Sequence, residues 1–371
     1  MKHIIGVNPD VPAGPEATTG AHAVQRLIVS EDDADQRLDN YLMRQLKGVP
    51  KTHIYRIIRS GEVRLNKGRA GADTRIQTGD VVRLPPLRVS ERAQYKAATM
   101  TALSAQAVSS RTFSVLYEDE AFLALDKPAG VAVHGGSGVS FGVIEQLRMA
   151  RPQARFLELV HRLDRETSGI LLVAKKRSAL KNLQEQFRQR QTGKTYLALV
   201  SGHWPAHKKV LDKPLHKYVI DIHGGAGEGE RRVKVVSRDD PDGMPAVTLV
   251  KVLARSELGA AQAMSLLAVT IKTGRTHQIR VHLASEGMPI AGDDKYGNFD
   301  DNKTWFRAPV PLKRMFLHAW RLQITHPVSG EVLTLHAPLA QELGPFLHAR
   351  LPASLATIDA FSNAASQPDA L

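Results

Sequence analysis

The chain contains no cysteine, and none of its 371 residues belongs to an apolar run of the roughly 18 residues that a membrane-spanning helix needs. The absence of cysteine excludes disulfide bonds and thiolate metal sites. The first six residues, Met1 to Gly6, have too short an apolar core for a signal peptide. Together these absences predict a cytoplasmic protein.

Positive charge is in excess and is concentrated in one part of the chain. There are 50 Lys and Arg residues against 37 Asp and Glu, which gives a formal net charge of +13 and a pI of about 9.9. The segment from Arg37 to Arg92 contains 13 Lys and Arg but only five Asp and Glu, a net charge of +8. This excess predicts a polyanionic partner, most simply a nucleic acid, and its clustering favours a binding surface over a solvated basic face.

Two short helices and a small hairpin are predicted within this basic segment. Apolar side chains recur every three or four residues, as on one face of a helix, at Leu38, Leu42 and Leu46 and again at Ile54, Ile57 and Ile58. Pro50 can open the second helix, and turns are expected at residues 66–68 and 78–80 before a strand at 81–84. The basic residues that we expect to contact the nucleic acid are Arg37, Arg44, Lys47, Lys51, Arg56, Arg59, Arg64 and Lys67.

Composition divides the chain into five parts. Residues 1–23 are rich in Pro, Gly and Thr and are expected to be loose, and residues 90–112, rich in Ala, Ser and Gln, are expected to form a linker. The basic module occupies residues 24–89 and a larger domain occupies residues 113–350. Residues 351–371 form a tail with few apolar anchors, which we expect to fray.

The larger domain is predicted to contain more strands than helices. Apolar runs predict strands at residues 113–117, 121–125, 131–133, 170–174, 194–201, 231–236, 246–256, 264–273, 315–325 and 331–336. Helices are expected after a cap at Ser178 and over residues 276–286. Because helices do not alternate regularly with strands, the predicted fold class is α+β, with a mixed, largely antiparallel central sheet.

The stretch His161–Gly169 combines one carboxylate with two flanking cations. Asp164 lies between Arg162 and Arg165, and the apolar run 170–174 that follows predicts a buried strand. Gly169 would allow a sharp turn at the start of that strand. A carboxylate held beside cations stays ionised and can act as a nucleophile or base, although a surface ion-pair network has the same sequence pattern.

Two further stretches carry polar residues at defined places. Tyr196 lies in Gly193–Val200, where it shares one strand face with Ala198, although a single tyrosine on a strand is also typical of a core. In the stretch Gly274–His282, Thr276 can cap a helix and Arg280 follows one turn later. The motif Gly292–Gly297 comes shortly afterwards.

Three other patterns are weaker. Ser140 lies in a hydrolase-like Gly-x-Ser-x-Gly pattern but does not follow a buried strand, and the Gly-rich residues 225–229 lack the lysine of a phosphate loop and are more typical of a hairpin loop. The 15 histidines show no metal-ligand spacing, so no metal site is expected.

Taken together, the motifs H-R-L-D-R-E-T-S-G, G-K-T-Y-x-A-L-V and G-R-T-H-Q-I-R-V-H resemble the three signature blocks of the RluA family of pseudouridine synthases. Residues 37–41 and 61–66 resemble the alpha-L motif of the S4-like RNA-binding domain. The resemblance covers roughly residues 25–345, except for an insertion at about 203–245. It implies a pseudouridine synthase domain, preceded by an S4-like domain as in the subgroup that modifies large-subunit ribosomal RNA.

The resemblance also implies roles for individual residues. Asp164 matches the essential aspartate, Tyr196 the tyrosine that stacks on the target base, Arg280 the arginine that pairs with the aspartate, and Arg162 the residue that helps to displace the base. Further substrate contacts are expected from the neighbouring motif residues His161, Arg165, Arg275, His277 and Gln278. The partner would be large-subunit ribosomal RNA or a pre-ribosomal particle, and a monomer would suffice.

The implied reaction breaks a nitrogen–carbon glycosidic bond, turns the uracil and rejoins it through carbon 5. Because nothing is oxidised or hydrolysed, no cofactor, metal or ATP is expected. Three routes stay open for Asp164: attack on the ribose, attack on the uracil ring, and abstraction of a ribose proton. Two other functions also stay open. One is a non-catalytic ribosome-assembly factor. The other is a metal-dependent RNA hydrolase, although few acidic residues near Asp164 could serve as metal ligands.

Overall fold

The computed structural model describes residues 24–30, 33–46, 49–86, 113–135, 141–221, 229–256 and 263–364. The chain divides into two compact units, Met1–Leu103 and Ser104–Leu371. The segments expected to be loose (1–23) and to act as a linker (90–112) lie outside the described residues, as does Ser140. None of the helices within these ranges is long and apolar enough to cross a membrane.

The first unit packs two helices on a small antiparallel sheet. Helices α1 (Leu38–Gln45) and α2 (Lys51–Arg59) confirm the predicted pair, and their predicted apolar positions lie in one core apart from Leu46 at its edge. The sheet has the order β1 (Gln25–Ile28), β3 (Val81–Leu84), β2 (Arg64–Leu65). Strand β1 was not predicted, because its four residues are mostly exposed and carry no apolar alternation.

The second unit is organised by one large sheet. Its strands are β4 (Ser114–Glu118), β5 (Phe122–Lys127), β6 (Glu158–Leu159), β7 (Ser168–Ala174), β8 (Gly193–Ser201), β9 (Val210–Asp212), β12 (Val247–Arg255), β13 (Met264–Ile271), β14 (Leu317–Thr325) and β15 (Val332–His336). The main order is β4-β5-β7-β14-β8-β13-β12-β9, with β15 beside β14 and β6 beside β7. Strands β7 and β14 run parallel and the other described pairs run antiparallel, which confirms the mixed, largely antiparallel α+β prediction.

The second unit also contains six helices within its described residues. They are α3 (Val143–Ala150), α4 (Arg177–Arg188), α5 (Gln278–Ala284), α6 (Phe299–Arg307), α7 (Gly344–Arg350) and α8 (Ser354–Ala364). A separate hairpin of β10 (Leu215–Asp221) and β11 (Gly229–Val235) occupies the 203–245 insertion. Buried apolar side chains from β8, β13 and β14 form the largest core cluster, together with side chains from α5 and α7.

Three of the local predictions described here were wrong, and one helix was not predicted. Residues 131–133 form no strand; Val131 and Val133 are buried in a loop that packs against α3, which was not predicted. Helix α4 begins after Lys176 rather than at a Ser178 cap. The tail does not fray throughout, because α8 packs on the main core through Ile358.

Gly169 has a different role from the predicted turn. It lies inside strand β7 with φ = 104°, and a Cβ atom there would come within 2.2 Å of the Ala319 carbonyl oxygen on β14. Only glycine allows the two parallel strands to approach this closely. The close approach therefore lies next to the loop that carries Asp164.

Candidate active site

Three stretches that are far apart in the sequence meet at one cavity of about 860 Å³. Asp164 lies on the loop before β7, Tyr196 lies on β8 in the middle of the sheet, and Arg280 lies in the first turn of α5. All three side chains line the cavity. The Asp164 Oδ2 atom is 3.8 Å from Arg280 Nη1 and 3.9 Å from His277 Nε2, and the Asp164 side chain is 30% exposed.

Arg280 is held more tightly by a second carboxylate than by Asp164. Its Nε and Nη2 atoms donate to the two oxygens of Asp293, both at 2.7 Å, and Asp293 is fully buried. Asp293 also accepts hydrogen bonds from the backbone amides of Lys295 and Tyr296, and the Tyr296 ring lies 5.1 Å from the guanidinium carbon. Although burial opposes the charge, pairing with Asp293 raises the pKa of Arg280. The cation is therefore fixed in place beside Asp164.

Tyr196 presents its ring to the cavity from a buried strand. Its neighbours across the sheet are Val269 on β13 and Ala319 on β14. Burial raises the pKa of its hydroxyl group far above the ordinary value, and the Asp164 charge adds to that effect. The phenol is therefore neutral at neutral pH.

His277 caps α5 with a backbone in the left-handed region, at φ = 51°, so the predicted cap at Thr276 was wrong. Its Nδ1 atom is 2.8 Å from the Tyr296 hydroxyl, which itself accepts a hydrogen bond from the Val233 amide. Because a hydroxyl oxygen can accept two hydrogen bonds and also donate one, this contact fits either neutral tautomer of His277, and it orients the ring with Nε2 towards Asp164. Burial lowers the His277 pKa, and Asp164 opposes that shift.

Three of the expected substrate contacts also have partners within the protein, and two of them, His161 and Gln278, line the cavity. His161 Nε2 accepts the Leu172 amide, and burial lowers its pKa to about 3, so its ring is neutral. The Gln278 side-chain oxygen accepts hydrogen bonds from the Thr273 hydroxyl and the Arg275 amide, and its side-chain nitrogen donates to the Val247 carbonyl and the Thr248 hydroxyl. The Arg165 Nε atom donates to the Gly130 carbonyl, and this side chain does not line the cavity. Arg162 and Arg275 do line it.

Sequence reasoning assigned no role to several residues that shape the site. Asp293 and Tyr296 were present in the Gly292–Gly297 motif, which was the available signal. Lys127 is fully buried, and its Nζ donates to the carbonyls of Pro128, Val131 and Arg165. Burial lowers the Lys127 pKa to about 7. These bonds tie the end of β5 to the residue next to Asp164.

The predicted basic residues of the first unit are not equally available. Lys51, Arg56, Arg59 and Lys67 are exposed and Arg64 is partly exposed, while Lys47 lies outside the described residues. Arg37 is exposed but pairs with Asp39 at 2.7 Å, and Arg44 is half-buried beside Asp33.

One group of side chains in the described part of the chain has metal-ligand geometry. His216, Asp240 and Asp242 offer ligand atoms within 4.8 Å of one another. They lie in the 203–245 insertion and do not line the cavity. The group therefore has no part in the chemistry at Asp164.

Two family models match this chain. The model described as RNA pseudouridylate synthase matches residues 121–285, and the S4 domain model matches residues 36–82. These matches cover the cavity-bearing unit from β5 to α5 and the basic module, respectively.

Relatives match most of the chain. It is 50% identical over 329 residues to ribosomal large subunit pseudouridine synthase C of Pasteurella multocida (strain Pm70), covering 88% of this chain and 94% of that protein. It is 48% identical over 325 residues to the protein of the same name in Escherichia coli (strain K12), covering 88% and 96%. The solved structure of human RNA pseudouridylate synthase domain containing 4 superposes with a TM-score of 0.51 at 26% identity, covering 68% of this chain and 97% of that one.

Proposed function

Because the chain belongs to the RluA-type RNA pseudouridylate synthase family, which isomerises uridine to pseudouridine, we propose that its substrates are specific uridines of large-subunit ribosomal RNA and that Asp164 is the catalytic carboxylate. The names of the 48–50% identical relatives support the choice of substrate. The S4 domain and the net charge of +8 in residues 37–92 support an RNA substrate.

The observation that carries the proposal is the position of Asp164. It is the one carboxylate among the described residues that line the cavity, and Arg280 lies 3.8 Å away from it. The fixed cation balances the charge of the carboxylate, and within the described residues its nearest cationic partners stand 3.8–3.9 Å away, which leaves its oxygens available to react. One carboxylate can serve each of the three routes, through the ribose, the uracil ring or a ribose proton.

The proposed mechanism requires the uridine to leave the RNA stack. Enzymes that act on a base inside folded nucleic acid extrude it into a pocket, and an aromatic ring offers a surface worth about 1–3 kcal/mol per stacked base. Tyr196 supplies such a ring beside Asp164, and Arg162, an exposed side chain that lines the cavity, would occupy the space that the base leaves. The uracil would then turn between Tyr196 and Asp164 and rejoin the ribose through carbon 5.

The test is to map pseudouridine across ribosomal RNA from cells with and without this gene, complemented with the wild-type protein or with Asp164→Asn. We expect pseudouridines in large-subunit RNA that disappear without the gene and return only with the wild type. Loss of pseudouridine from another RNA class would contradict the substrate assignment. Restoration by Asp164→Asn would contradict the assignment of the catalytic carboxylate.

A further inference from the structure

Cations greatly outnumber acids on the walls of the cavity. Asp164 is the one acidic side chain among its described lining residues, whereas the Lys and Arg side chains there are Arg162, Arg188, Arg190, Lys194, Lys217, Lys272, Arg275 and Arg280. A concave surface with one sign of charge concentrates ligands of the opposite sign. The cavity should therefore attract negative groups of the RNA as well as the neutral uridine.

Several of these cations already have partners. Arg280 is paired with Asp293, Arg188 with Glu185, and the Arg275 Nε atom donates to the Pro245 carbonyl. Lys194 on β8 differs from them. Its Nζ atom lies over the ring of Phe187, 5.0 Å from the ring centre, and no carboxylate within the described ranges pairs with it.

The surroundings of Lys194 favour an anion. Burial is the one cause that lowers its pKa, and the His161 ring stacked on Phe187 at 4.7 Å is neutral. A half-buried ammonium without a counter-charge is costly, and an anion that shares the site recovers part of that cost. Uracil and ribose carry no charge at neutral pH, so the anion that an RNA can bring is a backbone phosphate.

The position of Lys194 fits a phosphate next to the target nucleotide. Lys194 and Tyr196 are two residues apart on one strand, so their side chains share a face and their Cα atoms are roughly 6–7 Å apart. A base stacked on Tyr196 is joined through its ribose to phosphates on either side. Gly274 lies beside the ammonium, since a Cβ atom there would be 3.8 Å from Nζ, an ordinary van der Waals distance.

We propose that Lys194 is the binding site for one backbone phosphate adjacent to the uridine that enters the cavity. This inference rests on the proposed function, because it takes the ligand to be the RNA substrate. The phosphate contact would hold the strand while the base turns, since phosphate contacts position an RNA without reading its bases.

The test pairs a protein change with a neutralised phosphate. Single methylphosphonate linkages are placed one at a time around the target uridine of an RNA oligonucleotide, each with a 2′-deoxyribose on its 5′ side. Affinity is measured for wild type, Lys194→Met, Lys194→Arg and Lys303→Met, with the matching all-phosphate oligonucleotides as references. Lys303 is an exposed lysine on α6 outside the cavity lining and is the matched control.

At one linkage, the loss of affinity on neutralising the phosphate should depend on Lys194. In wild type and Lys303→Met, neutralising that linkage should weaken binding roughly tenfold, the size of one charge-assisted hydrogen bond. In Lys194→Met the same substitution should have no further effect, while other linkages keep their wild-type losses. Lys194→Arg should retain part of the coupling.

A Lys194→Met protein that shows the wild-type losses at every linkage would overturn the phosphate site. Should that variant fail to fold, Lys194→Gln carries the same comparison. Failure of the proposed function would look different, because the wild-type protein would then form no pseudouridine in the oligonucleotide.

Discussion

Arg280 has three carboxylates within 4 Å, and the way in which Asp293 and Asp164 contact it separates their roles. Asp293 holds it with two hydrogen bonds of 2.7 Å in a fully buried pair, whereas Asp164 stands 3.8 Å away with part of its surface open to the cavity. A carboxylate whose two oxygens both accept hydrogen bonds from a guanidinium has little freedom to act as a nucleophile or base. A carboxylate that stands farther from the guanidinium keeps that freedom. We therefore assign positioning to Asp293 and reaction to Asp164.

Asp164→Asn should abolish turnover while leaving the fold and the RNA affinity nearly unchanged. The amide keeps the size of the side chain but cannot act as a nucleophile or base. The measurement is tritium release from RNA labelled at uracil carbon 5, with unfolding and binding curves as controls. Turnover within roughly tenfold of wild type would rule out the assigned role.

Tyr196 can be tested by separating its ring from its hydroxyl group. Tyr196→Phe keeps the stacking surface, so it should retain most activity if stacking is the whole role, and Tyr196→Leu should lose it. If the hydroxyl takes part in proton transfer at carbon 5, Phe should be as inactive as Leu. Single-turnover rates decide between these outcomes, and a normal rate for the Leu variant would contradict both.

Asp293→Asn should destabilise the second unit and slow the reaction. Breaking one side of a buried ion pair leaves an uncompensated charge and costs about 3 kcal/mol. Asp294→Asn is the matched control, because its side chain is 81% exposed and lies 3.5 Å from Arg280. The free energy of unfolding measured in urea and kcat should both fall for Asp293→Asn and change little for Asp294→Asn. Equal effects in both variants would refute the positioning role.

At the scale of elements, the Asp164 loop depends on the contact between β7 and β14. These parallel strands are paired at Ser168 and Gly169, directly after the loop. Ser168 Oγ is also within 2.9 Å of His318 Nδ1 on β14, in a fully buried position. Moving the two strands apart would therefore move the loop that carries Asp164.

Gly169→Ala tests this dependence. The added methyl group would overlap the Ala319 carbonyl and the residue would keep φ = 104°, so we expect a loss of about 3 kcal/mol from overpacking and backbone strain combined. Gly287→Ala is the control, because φ is 74° there but no atom lies within 4 Å of the new Cβ.

The control should therefore lose only the backbone part, about 1 kcal/mol. Denaturant unfolding measures both losses, and tritium release should fall in Gly169→Ala beyond what unfolding explains. Equal losses in the two variants would show that the approach of the strands is not tight.

At the scale of the whole molecule, charge is divided unequally between the two units. Residues 37–92 carry a net charge of +8 out of the total of +13. Each phosphate that Lys or Arg neutralises releases counterions and steepens the salt dependence of RNA binding. We therefore expect the basic module to anchor the RNA and the cavity-bearing unit to perform the chemistry. Because one chain joins the two, RNA held by the module would be at a raised local concentration near the cavity.

Removing residues 1–90 should weaken ribosomal RNA binding and flatten its salt slope. Asp164, Tyr196 and Arg280 all belong to the second unit, so chemistry on saturating RNA should survive. Salt-titrated binding and single-turnover assays on the truncated chain check both parts. An unchanged salt slope would show that residues 37–92 are not the anchor, and an insoluble truncated chain would show that the module is part of the larger core.

The sequence by itself determined most of the kinds of element and singled out the three candidate positions of the site. Regular apolar spacing predicted α1, α2, α4 and most strands, because such spacing reflects which face each element buries. The motifs around Asp164, Tyr196 and Arg280 singled out residues that the fold does bring to one cavity. Prediction failed where the signal was short or mixed, as at β1 and α3.

Only the tertiary structure decided which partners these residues have. Three contacts depend on distances between segments that are far apart in the sequence. They are the ion pair of Arg280 with Asp293, the close approach of Gly169 to Ala319, and the contact of the Lys194 ammonium with the Phe187 ring. A local pattern shows that a residue is polar or small, but not whether it will be buried beside a charge, a carbonyl or a ring. Packing sets those neighbours, so it alone separated the free carboxylate of Asp164 from the committed one of Asp293.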